Sequence, residues 1–167
     1  LELRLGDVVG VAAAEHPVII AEYVGRDHEA FYSLVELAET AGIPVHDING
    51  RLNFPSRHPL NASLTKDHFR DADLVICMDA RDWEKPTTEL VSTTRQLTSV
   101  VPAGAKWIEI GFGDLELSAW ALDYQRMNHA DLRVMADTTL AIPMLTQLLR
   151  QRIPRFFHRD ELNVPDV

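Results

Sequence analysis

The fold is decided by the sequence HPVIIAEYVGRDHEAFYSLVELAETAGIPV, residues 16–45, together with the run ADLVICM at residues 72–78. The apolar runs at 18–20 and 74–78 do not alternate with polar residues, as expected for strands that are buried on both faces of a parallel sheet. Between the run at 18–20 and the predicted second strand, which begins at residue 44, apolar residues recur at intervals of three and four. This spacing predicts an amphipathic helix. Asp27 is expected to cap this helix and Gly42 to end it. The stretch therefore predicts a strand, a helix, a second strand and, after a long polar loop, a third strand.

The same patterns predict further elements on both sides of this stretch. The predicted strands cover residues 18–23, 44–48, 74–78, 106–110 and 132–135. The predicted helices cover residues 3–14, 27–40, 65–71 and 114–123, and a last one begins at Asp137 or Thr138. Pro143 in that last helix predicts a kink or a late start. We also expect a surface loop at residues 49–64 and one or two helical turns at residues 89–97.

Alternating strands and helices predict a doubly wound α/β fold. We expect a parallel sheet of five or six strands between two layers of helices, a Rossmann-like three-layer αβα arrangement. The 167 residues fit one domain. We place this domain at residues 1–153 and a C-terminal linker or tail at residues 154–167.

Composition and charge exclude several classes of partner. The chain has 16 basic and 25 acidic residues and a net charge of −9, which argues against nucleic acid, since a phosphate backbone is bound by concentrated Lys and Arg. No apolar run approaches the ~20 residues that span a bilayer. Cys77 is the single cysteine and lies in a predicted strand. It is expected to be a buried, inert thiol in a reducing compartment, so we expect the protein in the cytoplasm.

The loops at the carboxyl ends of the strands are the places to search for a ligand site. The first of these loops has one glycine, Gly25, where a dinucleotide fingerprint needs three. Glu22 and Asp27 would also place negative charge near a phosphate, which argues against NAD or FAD held in the standard way. The pair Gly111 and Gly113 is interpreted as a tight turn with Asp114 as a helix cap.

Metal and nucleophile motifs are absent from the sequence. The seven histidines show no HxH or HExxH spacing. His58 is the most interesting of them, because it follows the second predicted strand on the ligand side. The carboxylate pairs at residues 71–73 and 79–82 could bind Mg²⁺, but helix caps and strand ends explain them more simply. No serine lies in a nucleophile elbow.

Six segments, in the same order along the chain, resemble the central domain of thiamine-diphosphate-dependent enzymes. The resemblance covers about residues 3–152, and acetolactate-synthase-like and benzoylformate-decarboxylase-like members look most similar. The segments are EHPVII (15–20), LVELAE followed by GIPV (34–45), RLNFPSRHPL (51–60), ADLVI (72–76), WIEI (107–110) and LRVMAD (132–137).

The resemblance implies a scaffold without catalytic residues, cut from a parent that makes or breaks a carbon–carbon bond next to a carbonyl. Thiamine diphosphate and Mg²⁺ would be held by the parent's N- and C-terminal domains, which would be the partners of this domain in a homo-oligomer. The family's cofactor domain carries Gly-Asp-Gly followed by Asn-Asn, whereas this chain has Phe112-Gly113-Asp114-Leu115. This domain is therefore expected to hold no cofactor and no metal.

Some members of the family bind FAD or an adenine nucleotide in the central domain, through a glycine-rich loop after the first strand. This chain departs from that pattern at the loop. If a nucleotide binds, the matching positions are Gly25, Arg26, Arg81 and Asp137. The alternative hypothesis is accordingly a free-standing module of the same fold that binds FAD, ADP or NAD.

Overall fold

The computed structural model describes residues 10–48, 51–113 and 129–152. Seven strands are formed in these ranges: β1 Pro17–Ala21, β2 Val45–Asp47, β3 Leu74–Met78, β4 Thr88–Val91, β5 Gln96–Ser99, β6 Lys106–Ile110 and β7 Leu132–Val134. The helices are α1 His28–Ala41, α2 Asp67–Arg70 and α3 Thr138–Arg150, with a 3₁₀ turn at Val24–Arg26. Residues 10–13 are also helical.

The main sheet has the strand order β2-β1-β3-β6-β7, and every neighbouring pair in it is parallel. β3 lies at the centre and is buried along its whole length, with Ile76 in register with Ile19 on one side and Ile108 on the other. The predicted doubly wound α/β fold is confirmed, with five strands. The chain order reverses between β1 and β3, so the carboxyl ends of these two strands border the crevice in which such sheets bind ligands.

The helix boundaries follow from capping. The Asp27 carboxylate accepts the amides of Glu29 and Ala30, and Gly42 ends α1 in the left-handed conformation at φ 65°, as predicted. Asp137 is the N-cap of α3 and accepts the amide of Thr139. α3 begins at once at Thr138 and carries Pro143 in its interior, so the late start that Pro143 allowed does not occur.

Two apolar clusters cover the two faces of the sheet. One packs β-strand residues such as Ile19 and Ile76 against α1 and α3 through Leu34 and Leu145. The other gathers side chains of β1 and β3 with Phe69 of α2, Trp83 and the segment that leads into β6. Burial on both faces explains why the strands of this sheet are apolar without alternation.

The predicted surface loop is wrong in part. Asn53 and Phe54 are fully buried, and His58 is almost fully buried, because the segment folds back over the end of the sheet. Val45 of β2 forms a parallel bridge with Asn61, through hydrogen bonds to Leu60 and Ala62. The segment therefore lines the outer edge of β2.

The prediction of helical turns at residues 89–97 is also wrong. β4 and β5 form an antiparallel hairpin there, with Leu90 in register with Leu97. The predicted helix 114–123 and the tail 154–167 lie outside the described residues, so the domain boundary at residue 153 stays a prediction. In the described part of the chain, no helix has the length and apolar character that crossing a membrane requires.

Candidate functional site

The four sequence-predicted positions all lie on the carboxyl side of the sheet. Gly25 and Arg26 are in the 3₁₀ turn after β1, Arg81 follows β3, and Asp137 caps α3. Arg26 and Asp137 come together, with 3.7 Å between the guanidinium Nη2 and the carboxylate Oδ1. Arg81 and Gly25 have other partners, so the four do not form a single cluster.

Gly25 is enclosed by the segment that follows β2. Its amide donates a hydrogen bond of 2.9 Å to Oδ1 of Asn53. A Cβ at Gly25 would lie 2.0 Å from the carbonyl oxygen of Leu52, well inside any allowed contact. In a dinucleotide fold this glycine turn is where the backbone approaches the pyrophosphate. Here the same place is taken by the backbone of Leu52 and the side chain of Asn53.

Asn53 holds this arrangement in place from a fully buried position. Its Nδ2 donates to Oδ1 of Asp47 at 2.6 Å and to the carbonyl of Arg51 at 2.9 Å. The Asp47 carboxylate also accepts the backbone amides of Asn53 and Phe54. Burial raises the pKa of Asp47, and the hydrogen bonds from Asn53 and Phe54 partly oppose that shift.

Asp79 occupies the turn after β3 and is almost fully buried. Its φ is 47°, and Gly111, at φ 146°, passes so close that a Cβ there would lie 2.6 Å from Oδ1 of Asp79. Oδ2 accepts a hydrogen bond of 2.5 Å from the hydroxyl of Thr138 and lies 3.4 Å from Nη2 of Arg26. Within the described part of the chain, Oδ1 of Asp79 has no hydrogen-bond partner. The mouth of the crevice between β1 and β3 is thus spanned by Arg26, Asp79 and Asp137.

A second ion pair lies beside the first. Glu22 is buried at the end of β1, and its carboxylate accepts the backbone amide of Arg81 at 2.6 Å and its guanidinium at 3.2 Å. The guanidinium of Arg81 also lies over the ring of Tyr23, 4.6 Å from the centroid. Glu22 and Arg81 therefore tie the turns after β1 and β3 to each other.

The electrostatics of Asp137 follow from its capping role. Hydrogen bonds from the side chain and the backbone amide of Thr139 hold the pKa of Asp137 below its usual value, and the charge of Arg26 lowers it further. The negative charge of an ionised Asp137 attracts the guanidinium of Arg26 and holds it beside the carboxylate. Three carboxylates, those of Glu22, Asp79 and Asp137, border this crevice, and each lies in an ion pair with the guanidinium of Arg26 or Arg81.

These residues do not fit thiamine diphosphate and its metal ion. The amide that could cradle a phosphate, that of Gly25, is already donated. Among the described residues, no group of three His, Cys, Asp or Glu side chains is placed to hold a metal ion. The carboxylate pairs that suggested Mg²⁺ serve the backbone instead: Asp73 accepts the amides of Glu15 and His16, and Asp82 accepts that of Glu84.

His58 has a bracing role. Its Nε2 lies 3.2 Å from a carboxylate oxygen of Glu39 on α1, and its Nδ1 accepts the amide of Leu60. His46 and His68 lie with ring centroids 5.7 Å apart. Burial, and then the nearby His68, lowers the pKa of His46 to about 4. The contacts of His58 join the segment after β2 to α1, and the contact of His46 with His68 joins β2 to α2.

The sequence interpretation missed Asn53, and it gave Asp79 and Thr138 other roles, in a possible Mg²⁺ pair and as a helix cap. Asp79 carried a usable signal, because it is a polar residue directly after a buried strand. Asn53 carried none, since its partner Gly25 is 28 residues away in the chain. Thr138 was considered only as a helix cap, but its hydroxyl binds Asp79 instead.

Solved structures with a similar fold were found in comparisons with known proteins. No family model matches the chain, and no curated protein matches it. Among solved structures, the chain is similar to a protein from Mycobacterium smegmatis that is assigned as a thiamin diphosphate-dependent enzyme. The TM-score is 0.58 at 22% identity, over 84% of this chain and 26% of that protein.

A second similar structure is the thiamine diphosphate-dependent 4-hydroxybenzoylformate decarboxylase of Rhodococcus jostii RHA1. The TM-score is 0.55 at 20% identity, over 96% of this chain and 28% of that enzyme. The chain thus spans about a quarter of the length of either protein. At this identity the likeness shows the fold, and the chain has the α/β fold of a domain-sized part of these two proteins.

Proposed function

We propose that this chain is the central, non-catalytic domain of a thiamine-diphosphate-dependent enzyme. Six sequence segments in family order support this role, as does a fold shared with two proteins described as thiamine-diphosphate-dependent. The parent would make or break a carbon–carbon bond next to a carbonyl, as acetolactate synthases and 2-oxo acid decarboxylases do. The coverage of about a quarter of each matched protein fits one domain of a larger chain.

The observation that carries the scaffold role is the closed turn at Gly25. Its amide is bound by Asn53, and the carbonyl of Leu52 fills the space where a ligand would approach. The neighbouring charges of Arg26 and Arg81 are paired with carboxylates of the chain itself. A crevice closed by its own side chains suits a domain that positions its neighbours.

In the proposed parent, thiamine diphosphate and Mg²⁺ belong to the flanking N- and C-terminal domains. This domain contributes a rigid sheet and shapes the approach to the active site. The parent is a homo-oligomer and works in the cytoplasm. The buried thiol of Cys77, whose pKa is raised by burial, is compatible with a reducing compartment.

Calorimetry on the 167-residue chain tests the absence of cofactor chemistry. We expect no heat of binding from thiamine diphosphate with Mg²⁺ at concentrations that saturate complete enzymes. Tight binding of either by this chain would overturn the scaffold role. The sequence that flanks the chain is the second test, because a downstream Gly-Asp-Gly segment followed by Asn-Asn is required by the proposal.

A thermal-shift screen with FAD, NAD, ADP and coenzyme A tests the competing nucleotide-binding role. A ligand that binds only the folded state raises the melting temperature. We expect no rise, because a nucleotide would first have to displace Asn53 from Gly25. A concentration-dependent rise that is lost in the Arg26→Ala variant would show a nucleotide site instead.

A further inference from the structure

Two histidines pack against each other where the short helix α2 meets the sheet. His46 of β2 is almost fully buried and His68 of α2 is half-buried, and their ring centroids are 5.7 Å apart. The ring centroid of the fully buried Phe69 lies 5.1 Å from that of His46 and 4.6 Å from that of His68. This contact lies on the face of the sheet opposite α1 and α3, because His46 is in register with Ile20 of the second apolar cluster. The three rings therefore join α2 to the sheet.

The surroundings of the two histidines suit neutral imidazoles. Nδ1 of His46 and Nε2 of His68 are buried, and neither nitrogen has a hydrogen-bond partner among the described residues. A neutral imidazole has one N–H donor, whereas an imidazolium has two. The second N–H would be a buried donor without an acceptor, which costs free energy. Protonation of either ring therefore weakens the contact that the neutral rings make.

The charges next to His46 act in the same direction. Lys66 and His68 both oppose a positive charge on this ring, while a hydrogen bond to the backbone of Ala62 favours one. Burial is the largest influence, and it lowers the pKa of His46 to about 4. The packed ring is therefore neutral at pH 7.

The charge next to His68 only partly offsets the effect of burial. Burial lowers the pKa of His68, and the carboxylate of Asp67 partly opposes this shift. The side chain of Asp67 is 81% exposed and lies 3.7 Å from Nε of Arg70, so solvent and a guanidinium share its charge. Two protonated rings would place like charges side by side in a partly desolvated contact, which is repulsive. Acid therefore opposes the packing of α2 on β2.

The β4–β5 hairpin depends on α2 and on the residue before it. Nζ of Lys66 donates to the carbonyls of Lys85 and Thr88, at 3.2 and 2.6 Å. Arg70 forms an ion pair of 2.7 Å with Glu89 of β4. A two-stranded hairpin is only marginally stable by itself, and most side chains of β4 and β5 are exposed. A hairpin that loses these contacts with α2 should open more often.

We propose that His46 and His68 form an acid-sensitive latch, whose protonation releases α2 and the β4–β5 hairpin while the parallel sheet stays folded. The helices α1 and α3 pack on the other face of the sheet, so the release does not require them to move. The inference goes beyond the proposed function and does not depend on it. It gives this domain a segment that responds to pH whatever chemistry its neighbours perform.

Hydrogen exchange of the 167-residue chain, followed by mass spectrometry at pH 7.5 and pH 5.0, tests the latch. A released His46 regains its ordinary pKa of 6.5, whereas the packed ring titrates at about 4. Opening should therefore become about thirtyfold more favourable at pH 5.0 than at pH 7.5. We expect the amide protection factors of residues 65–72 and 88–99 to fall by about this factor, and those of β3 by less than about threefold. An equal fall in β3, or unchanged protection in α2 and the hairpin, would overturn the proposal.

Three variants show whether the two histidines cause the effect. His46→Phe keeps an aromatic ring beside Phe69 but cannot take up a proton, so the fall in protection should shrink from about thirtyfold to less than about fivefold. His68→Gln tests the same latch from the half-buried side and leaves β2 unaltered. His129→Gln, at an exposed histidine, is the matched control and should keep the fall of the wild type. A fall as large as that of the wild type in both His46→Phe and His68→Gln would refute the latch, and in the event that His46→Phe does not fold, His68→Gln alone decides.

Discussion

Replacing Asn53 by Ala should destabilise the protein strongly without changing its surface. The side chain accepts the amide of Gly25 and donates to the Asp47 carboxylate and the Arg51 carbonyl. A buried group that loses its partner costs about 1–3 kcal/mol, with hydrogen bonds to charged groups at the upper end. Water that enters the vacated space recovers a part of this. We therefore expect the free energy of unfolding to fall by about 3 kcal/mol.

Urea denaturation followed by circular dichroism measures this change. With a slope of about 2 kcal/mol/M, typical of a small domain, the midpoint should fall by about 1.5 M. Thr93→Ala, in the exposed turn between β4 and β5, is the control and should change stability by less than about 0.5 kcal/mol. If the Asn53→Ala midpoint matches that of the control at an unchanged slope, Asn53 is not the brace that its contacts indicate.

Three further outcomes follow from the packing. Gly25→Ala should lower the melting temperature markedly, because its Cβ would lie 2.0 Å from the Leu52 oxygen, whereas Gly104→Ala meets nothing within 4 Å and serves as control; equal melting temperatures would contradict the close approach. Burial lowers the pKa of His46 from 6.5 to about 4, so the folded state binds fewer protons than the unfolded state. The stability that the neutral His46 contributes is complete above pH 6.5 and is lost as the pH falls towards 4. The loss is at most about 3 kcal/mol. Equilibrium unfolding at several pH values should show a shallower loss in His46→Phe than in the wild type, and parallel curves would refute this linkage. Burial raises the pKa of the Cys77 thiol, so a thiol reagent should label it only after denaturant is added, and rapid labelling of the native protein would refute its burial.

The central strands could be predicted from sequence at their observed bounds. Residues 74–78 are buried throughout, and Ile108 and Ile110 are buried within 106–110, because apolar clusters cover the sheet on its two faces. The caps at Asp27 and Gly42 could also be predicted from the sequence, because a cap depends on contacts within a few residues. The caps follow from local contacts, and the strands follow from the apolar pattern that burial on both faces requires.

The hairpin β4–β5 was missed because almost none of its side chains is buried, so no alternating pattern marks it. Its strands are tied down by distant residues: Lys66 binds the carbonyl of Thr88, and Arg70 pairs with Glu89. The closed turn at Gly25 was missed because its partner, Asn53, lies 28 residues away in the chain. The lack of glycines indicated that a nucleotide fits poorly, but nothing local indicated that Asn53 would take its place.

The bridge between Val45 and Asn61 has a consequence for how the protein behaves in a crowded cell. β2 is the outermost strand on its side of the sheet, and an uncovered edge strand can pair with a strand of another molecule. Here the amide of Val45 donates to Leu60, and its carbonyl accepts the amide of Ala62, both at 2.8 Å. At Val45, the segment after β2 therefore occupies the backbone groups that an incoming strand would need. The segment after β2 therefore protects the edge of the sheet from pairing with a strand of another molecule. Shortening this segment would expose that edge even if the core remained intact.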